Sequence, residues 1–144
     1  MIAMKLVDKF YNKNPSARRL ISFFLFGNRD VDISLFDLDL SINSSRESGY
    51  LRASKIISTS SLLRDEISVI SNMCGIISRE DTFVDVGANV GIFSSIFSRL
   101  SRINKISKVY AFEASPSTYK RLLKNSENMD LSHLTMPSPT MKAL

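Results

Sequence analysis

One cysteine in 144 residues rules out an intrachain disulfide framework, and nothing in cysteine usage argues for secretion. That cysteine, Cys74, falls on the apolar helical stripe Leu63, Ile67, Ile70, Cys74 and Ile77, which predicts a small buried hydrophobe rather than a reactive thiol. Histidine is equally scarce. The single one, His133, stands in a tail without motifs and is not assigned as a base. The apolar run Leu20–Phe26 is far shorter than the ~20 residues that a membrane span needs. Gly27-Asn28-Arg29-Asp30 after it offers no small-residue cleavage site, so no signal peptide is expected. Peripheral membrane contact is set aside as well, and the expected location is cytoplasmic. No stretch interleaves aromatic with basic side chains, so no nucleic-acid partner is expected.

What is present is an ordinary globular composition, 44% hydrophobic and 23% charged, enough for one domain with a modest core. The net charge of +5 is uneven. Residues 1–29 carry six basic side chains against Asp8, residues 30–98 are acidic in balance, and residues 99–144 are basic again. A solvated face accounts for each block.

The chain is organised around Thr82–Ser94, TFVDVGANVGIFS, and its echo Lys108–Ser117, KVYAFEASPS. Phe83, Val84 and Val86 form a short apolar run, expected for a strand buried on both faces. Asp85 and the small-residue turn Gly87-Ala88-Asn89-Val90-Gly91 follow. A helical stripe comes next: Ile92, Phe93, Ile96, Phe97 and Leu100. Lys108–Phe112 gives a second apolar run, closed by Glu113. Strand, glycine turn, helix, strand and acid make half of a nucleoside-binding α/β unit.

At such a turn, glycines allow a tight bend and close approach of a ligand. The helix opening near Gly91 presents free N–H groups and partial positive charge, suited to an anion. An acid at Glu113 suits the two hydroxyls of a ribose. Gly87-x-x-x-Gly91 lacks the glycine spacing of a dinucleotide fingerprint, and Asp85 would repel a pyrophosphate. A ligand carrying an ammonium beside its carboxylate suits Asp85 better, which points to S-adenosylmethionine with its adenosine towards Glu113.

The strings Asp-Val-Gly-Ala-Asn-Val-Gly (Asp85–Gly91) and Ala-Phe-Glu-Ala-Ser-Pro (Ala111–Pro116) resemble the FkbM-type family of S-adenosylmethionine-dependent methyltransferases. Asn125 and Asn128 lie where that family usually has asparagine at the end of the next helix, and Ala114 stands where it commonly has proline. The likeness runs from about Leu62 to Asn128. It implies that Asp85, Gly87, Ala88, Asn89, Gly91 and Glu113 line the cofactor site. It also implies methyl transfer to a small-molecule or glycan hydroxyl, of a sugar or other secondary metabolite. The alternating aspartates Asp32, Asp37 and Asp39 read as the polar half of an amphipathic strand, so no metal is expected. No catalytic base is assigned.

The fold class expected is α/β: a partial Rossmann-like methyltransferase fold, its parallel sheet incomplete, with an N-terminal helical and β extension. One domain is expected overall, with residues 1–30 a basic helical segment, 31–58 a β extension, 59–130 the half-domain and 131–144 a degenerate tail. Val31–Ile42 alternates with period two, with a phase slip at Leu35–Phe36 and no glycine for a tight turn. That predicts one bulged strand or two bent pieces with a single polar face. Tyr50–Ile57 reads as another short strand. Ser61 is placed as the cap of a helix running to about Ile77 that buries the Cys74 stripe. Ser115 and Pro116 start the next helix, with Tyr119, Leu122 and Leu123 inward and Lys120, Arg121 and Lys124 wet. Leu131–Met136 begins a third strand stopped by Pro137 and Pro139. The segments for the acceptor pocket and base are not seen, so a truncated form, inactive alone, is expected.

Overall fold

The computed structural model describes residues 15–55, 64–103, 105–128 and 134–135. Ser61, Leu63, His133 and the stretch before Pro15 therefore lie outside the described residues. Helix α1 (Pro15–Phe26) leads to strands β1 (Asp30–Leu35) and β2 (Leu38–Asn43), then to helices α2 (Ser48–Lys55) and α3 (Arg64–Ile76). The second half reads β3 (Thr82–Val86), α4 (Ile92–Arg102), β4 (Lys108–Phe112), α5 (Pro116–Asn128) and β5 (Leu134–Thr135).

The phase slip at Leu35–Phe36 is a hairpin turn, not a bulge. β1 and β2 pair antiparallel from Asp30↔Asn43 to Leu35↔Leu38, leaving a two-residue connection. Both connecting residues take the left-handed conformation, Phe36 at φ 54° and Asp37 at φ 59°. This twist matches that of the strands, and glycine or asparagine is the usual way to reach it. Here the Arg99 guanidinium donates to the Asp37 carbonyl at 2.6 Å, and Phe36 packs on the core. Those contacts offset the local strain of about 1 kcal/mol per residue.

Tyr50–Lys55 is helical, so the strand expected over Tyr50–Ile57 is corrected for every residue described. The turn before it carries a reciprocal cap. Asn43 Oδ1 accepts from the N–H groups of Ser45 and Arg46, and Glu47 Oε2 accepts from Asn43 N at 2.6 Å. Such a cap starts a helix whatever the strand propensity of the residues after it.

β3, β4 and β5 form a parallel sheet in that order. Its short third strand falls within the stretch expected to begin one. α4 lies on the sheet through Phe97, whose ring stacks on Phe83 at 4.0 Å between centroids. The helix also buries Ser94, Ser95, Ser98 and Ser101, small side chains on a second face that the apolar stripe does not reveal. Among the described residues, β3 is covered on one face only. Phe83 is buried while Val84 and Val86 are 52% and 82% exposed, so the expectation of a strand buried on both faces is corrected.

The hairpin is not an appendage. Ile33, Leu35, Leu38, Leu40 and Ile42 form one core with Leu51, Val90 and Ile92, the last two from the end of the glycine turn. Its polar face holds except at Ser41, which is buried beneath α5. There Asn125, fully buried, accepts from Ser41 N at 2.6 Å and donates to Ser41 O at 3.1 Å and Val90 O at 2.8 Å. Arg121 is buried as well, against the wet face expected for it. Its Nη2 donates to Glu47 Oε1 at 3.0 Å across the hairpin–helix seam. Lys120 and Lys124 are exposed.

α3 corrects the stripe prediction. Met73 and Ile77 pack against Phe83 and Phe97, but Ile67, Val69 and Ile76 are exposed, and so is Cys74. Periodicity reports which residues share a face, not whether a partner lies over it. An apolar groove of about 420 Å³ opens beside this helix, lined by Phe36, Ile67, Ile70, Ile96 and Leu100.

Candidate functional site

Because β3 and β4 run parallel with Val86 opposite Phe112, the chain leaves both strands side by side. The Phe112 carbonyl accepts from Gly87 N at 2.8 Å and Ala88 N at 2.9 Å, which carries the pairing on into the turn. The turn is built from left-handed residues: Gly87 at φ 83°, Asn89 at 53° and Gly91 at 91°. Asparagine tolerates this conformation better than most residues. Gly91 N donates to Ala88 O at 2.9 Å and closes the loop.

Glu113 reaches over from the end of β4. Its Oε2 accepts from Asn89 N at 3.0 Å and its Oε1 from Ser115 N at 2.8 Å. A carboxylate has about four lone-pair sites, so two acceptor positions remain. Asp85 lies on the other side of the turn, where its Oδ2 accepts from Ser94 N at 3.1 Å and Ser94 Oγ at 2.5 Å. All six site residues expected from the sequence thus gather at the carboxyl ends of two parallel strands.

Their local duties differ from those expected. The carboxylate of Asp85 already caps the first turn of α4, so an incoming anion meets a resident one there. Gly91 serves packing rather than ligand approach, since a Cβ on it would sit 2.5 Å from Leu122 Cδ1. Ala88 is buried against Ala111, Tyr119 and Leu122. Gly87 is the open position: it is exposed, and a Cβ there would meet nothing within 4 Å.

Tyr50 was missed by sequence reasoning. α2 carries its ring onto the core cluster that includes Val90 and Ile92. Burial, followed by the carboxylates of Glu66, Glu47 and Asp85, pushes its pKa above the ordinary 10.0, with the Asn89 amide opposing. The phenol is neutral at physiological pH. The Asn43…Glu47 turn was the local signal that a helix, not a strand, follows. Among the described residues no three His, Cys, Asp or Glu side chains gather as metal ligands, and no helix is long and apolar enough to cross a membrane.

No protein-family model matches the chain, and no curated protein matches it. Solved structures share its fold. Trm5 of Methanocaldococcus jannaschii, in complex with adenosine, superposes with a TM-score of 0.52 at 21% identity, over 77% of this chain and 29% of that one. A Pyrococcus horikoshii protein assigned to the transferases gives 0.51 at 15%, over 77% and 36%. The M. jannaschii tRNA m1G37 methyltransferase gives 0.50 at 18%, over 81% and 32%. The fold is α/β, a partial Rossmann-like methyltransferase fold. The chain spans about a third of the length of the structures it matches.

One expectation is overturned by this comparison. A tRNA methyltransferase is built on the same fold, so nucleic acid is not excluded as a partner. Aromatic–basic interleaving marks platforms for single strands. Folded RNA is bound through shape and phosphates, which leave no such pattern in a sequence. Nor does any of these structures point to a small-molecule acceptor.

Proposed function

We propose that the chain binds S-adenosylmethionine at the Gly87–Gly91 turn and belongs to the methyltransferases that use it. The observation that carries this reading is the bond from Asn89 N to Glu113 Oε2, which joins the glycine turn of one strand to the terminal acid of the next. The residues fit such a ligand. Gly87 leaves backbone open to approach, Glu113 keeps acceptor capacity for ribose hydroxyls, and Asp85 favours an ammonium over a phosphate. The adenosine-bound Trm5 structure supports the same choice of ligand.

When bound, S-adenosylmethionine supplies a methyl group already activated by its sulfonium. The chain's own residues hold and orient it, and no residue is assigned as a base. The FkbM-type assignment rests on Asp85–Gly91 and Ala111–Pro116. The acceptor it implies, a hydroxyl of a sugar or other secondary metabolite, is assayed beside tRNA. A cytoplasmic location is part of this reading. A chain without independent activity is the second reading, favoured by the uncovered valines of β3.

Thermal unfolding of the full chain, with and without ligand, tests both. S-adenosylmethionine at 100 times its dissociation constant adds about 2.7 kcal/mol of stability. A shift with NAD but not with S-adenosylmethionine overturns the proposal. No cooperative transition at all favours the inactive chain.

A further inference from the structure

Ser94 is fully buried in the first turn of α4, just beyond the glycine turn. We propose that it is a positioning residue: its hydroxyl fixes the Asp85 carboxylate so that Oδ1, and not Oδ2, is presented to the ammonium of the ligand's amino acid. This rests on the reading of the turn as an S-adenosylmethionine site.

The start of α4 is capped without any hydroxyl. Gly91, at the cap position, has no side chain to offer, and Asp85 Oδ2 accepts from Ser94 N at 3.1 Å in its place. The bond from Ser94 Oγ to the same oxygen, at 2.5 Å, is more than capping needs. A carboxylate has about four lone-pair sites on two oxygens, so these two donors fill Oδ2. Oδ1 accepts from none of the described residues and is not a buried orphan, which leaves it as the oxygen open to a ligand. One bond would let the carboxylate swing. Two bonds from one buried residue set its plane, and an acceptor ordered beforehand loses less freedom when the ligand binds.

Nor is this bond the default of a helical serine. Ser95, the next residue, takes that default: its hydroxyl donates to Gly91 O, four residues back. The matching carbonyl for Ser94 is Val90 O, and it accepts from Asn125 Nδ2 at 2.8 Å. With that carbonyl engaged, the Ser94 hydroxyl turns to the end of β3 instead.

A serine that only supported the helix would affect every ligand of the turn alike. Three probes separate the roles: S-adenosylmethionine; S-adenosylhomocysteine, which keeps the amino acid and loses the sulfonium charge; and 5′-methylthioadenosine, which lacks the amino acid. Isothermal titration of the full chain with each compares wild type with Ser94→Ala. Binding of the first two is expected to weaken about three- to tenfold, the net value of one hydrogen bond. Methylthioadenosine binding stays within about twofold of wild type, since its contacts are untouched. Equal losses for all three probes, or no loss for any, overturn the positioning role and leave the cofactor reading intact. A loss confined to S-adenosylmethionine puts the carboxylate at the sulfonium and overturns it as well. Wild type that binds none of the probes overturns both readings. Ser94→Cys keeps the side-chain volume with only a weak donor, so the same selective loss should recur there, and a loss for all three probes overturns the proposal. In an Asp85→Asn background, where the charge is gone, adding Ser94→Ala should move no probe further. Additive losses in that cycle show that Ser94 does not act through Asp85 and overturn the proposal.

Discussion

Asn125 bonds to Ser41 as a neighbouring strand would, accepting from its N–H at 2.6 Å and donating to its carbonyl at 3.1 Å. The same amide donates to Val90 O at 2.8 Å, so one buried side chain joins the hairpin, α5 and the glycine turn. Truncation leaves several buried backbone groups unpaired, each costing about 1–3 kcal/mol. Asn125→Ala is expected to lower stability by about 3 kcal/mol, read by urea titration. Asn125→Asp keeps one acceptor but turns a buried carboxylate oxygen on two carbonyls, so it is expected to cost at least as much as alanine.

The two glycines of the turn predict opposite behaviours. Alanine at Gly91 adds a Cβ at 2.5 Å from Leu122 Cδ1 on top of an unfavourable φ of 91°. Overpacking and backbone strain together are expected to cost about 2–4 kcal/mol in chemical denaturation. Alanine at Gly87 meets open space and bears only the left-handed strain, about 1–2 kcal/mol. Ligand binding should reverse the order of severity once folding is allowed for, because Gly87 faces the open side of the turn.

Arg121 and Glu47 are both nearly sealed from solvent, with side chains 7% and 5% exposed. Removing one partner strands the other charge, so Arg121→Met is expected to cost about 3–5 kcal/mol. Adding Glu47→Gln recovers part of this. The glutamine oxygen can still accept from Asn43 N, while the stranded charge is gone. A double-mutant cycle by thermal melting measures the coupling.

Tyr50 predicts an alkaline limb. Its proton is held above the ordinary value of 10.0, first by burial and then by Glu66 and Glu47. As pH rises past about 10, the unfolded chain releases this proton before the folded one, so the folded state binds more protons and stability falls. The loss continues until pH reaches the raised folded value. In Tyr50→Phe the slope above about pH 10 should flatten, measured as melting temperature against pH. An unchanged slope would place the alkaline limb on other groups.

How far the sequence carried depended on whether the signal was local. Phe83–Val86, the Gly87–Gly91 turn, the Ile92 stripe and Glu113 follow one another along the chain, and each appears in the element expected. Pro116 stands at the first position of α5, as expected, whereas the Ser115 hydroxyl meets the Ser117 and Thr118 hydroxyls rather than a backbone N–H. Distant partners were illegible. Arg121 looked wet because Glu47 lies 74 residues away, and Ser41 looked exposed because Asn125 lies 84 away. Phe36 and Asp37 hid a hairpin, since neither is the glycine that its backbone angles favour. Val84, Val86 and Cys74 looked buried because apolar pattern records what could be covered, not what is.

Glu113 is where structure and proposed chemistry meet, and its two roles can be separated. Its carboxylate fixes Asn89 N and Ser115 N, so Glu113→Ala removes both bonds as well as any contact to a ribose. Glu113→Gln retains one oxygen acceptor for the loop and loses the charge. If the acid holds ribose hydroxyls, both variants weaken S-adenosylmethionine binding, by about 1–3 kcal/mol in the alanine case. 5′-Methylthioadenosine, which keeps the adenosine and lacks the amino acid, should weaken in parallel. Adenine, which has no ribose, gives the control: its binding should be unmoved in Glu113→Gln if the glutamate acts on the sugar. Full retention of affinity for both nucleosides in Glu113→Gln would reduce this residue to a clasp for the turn.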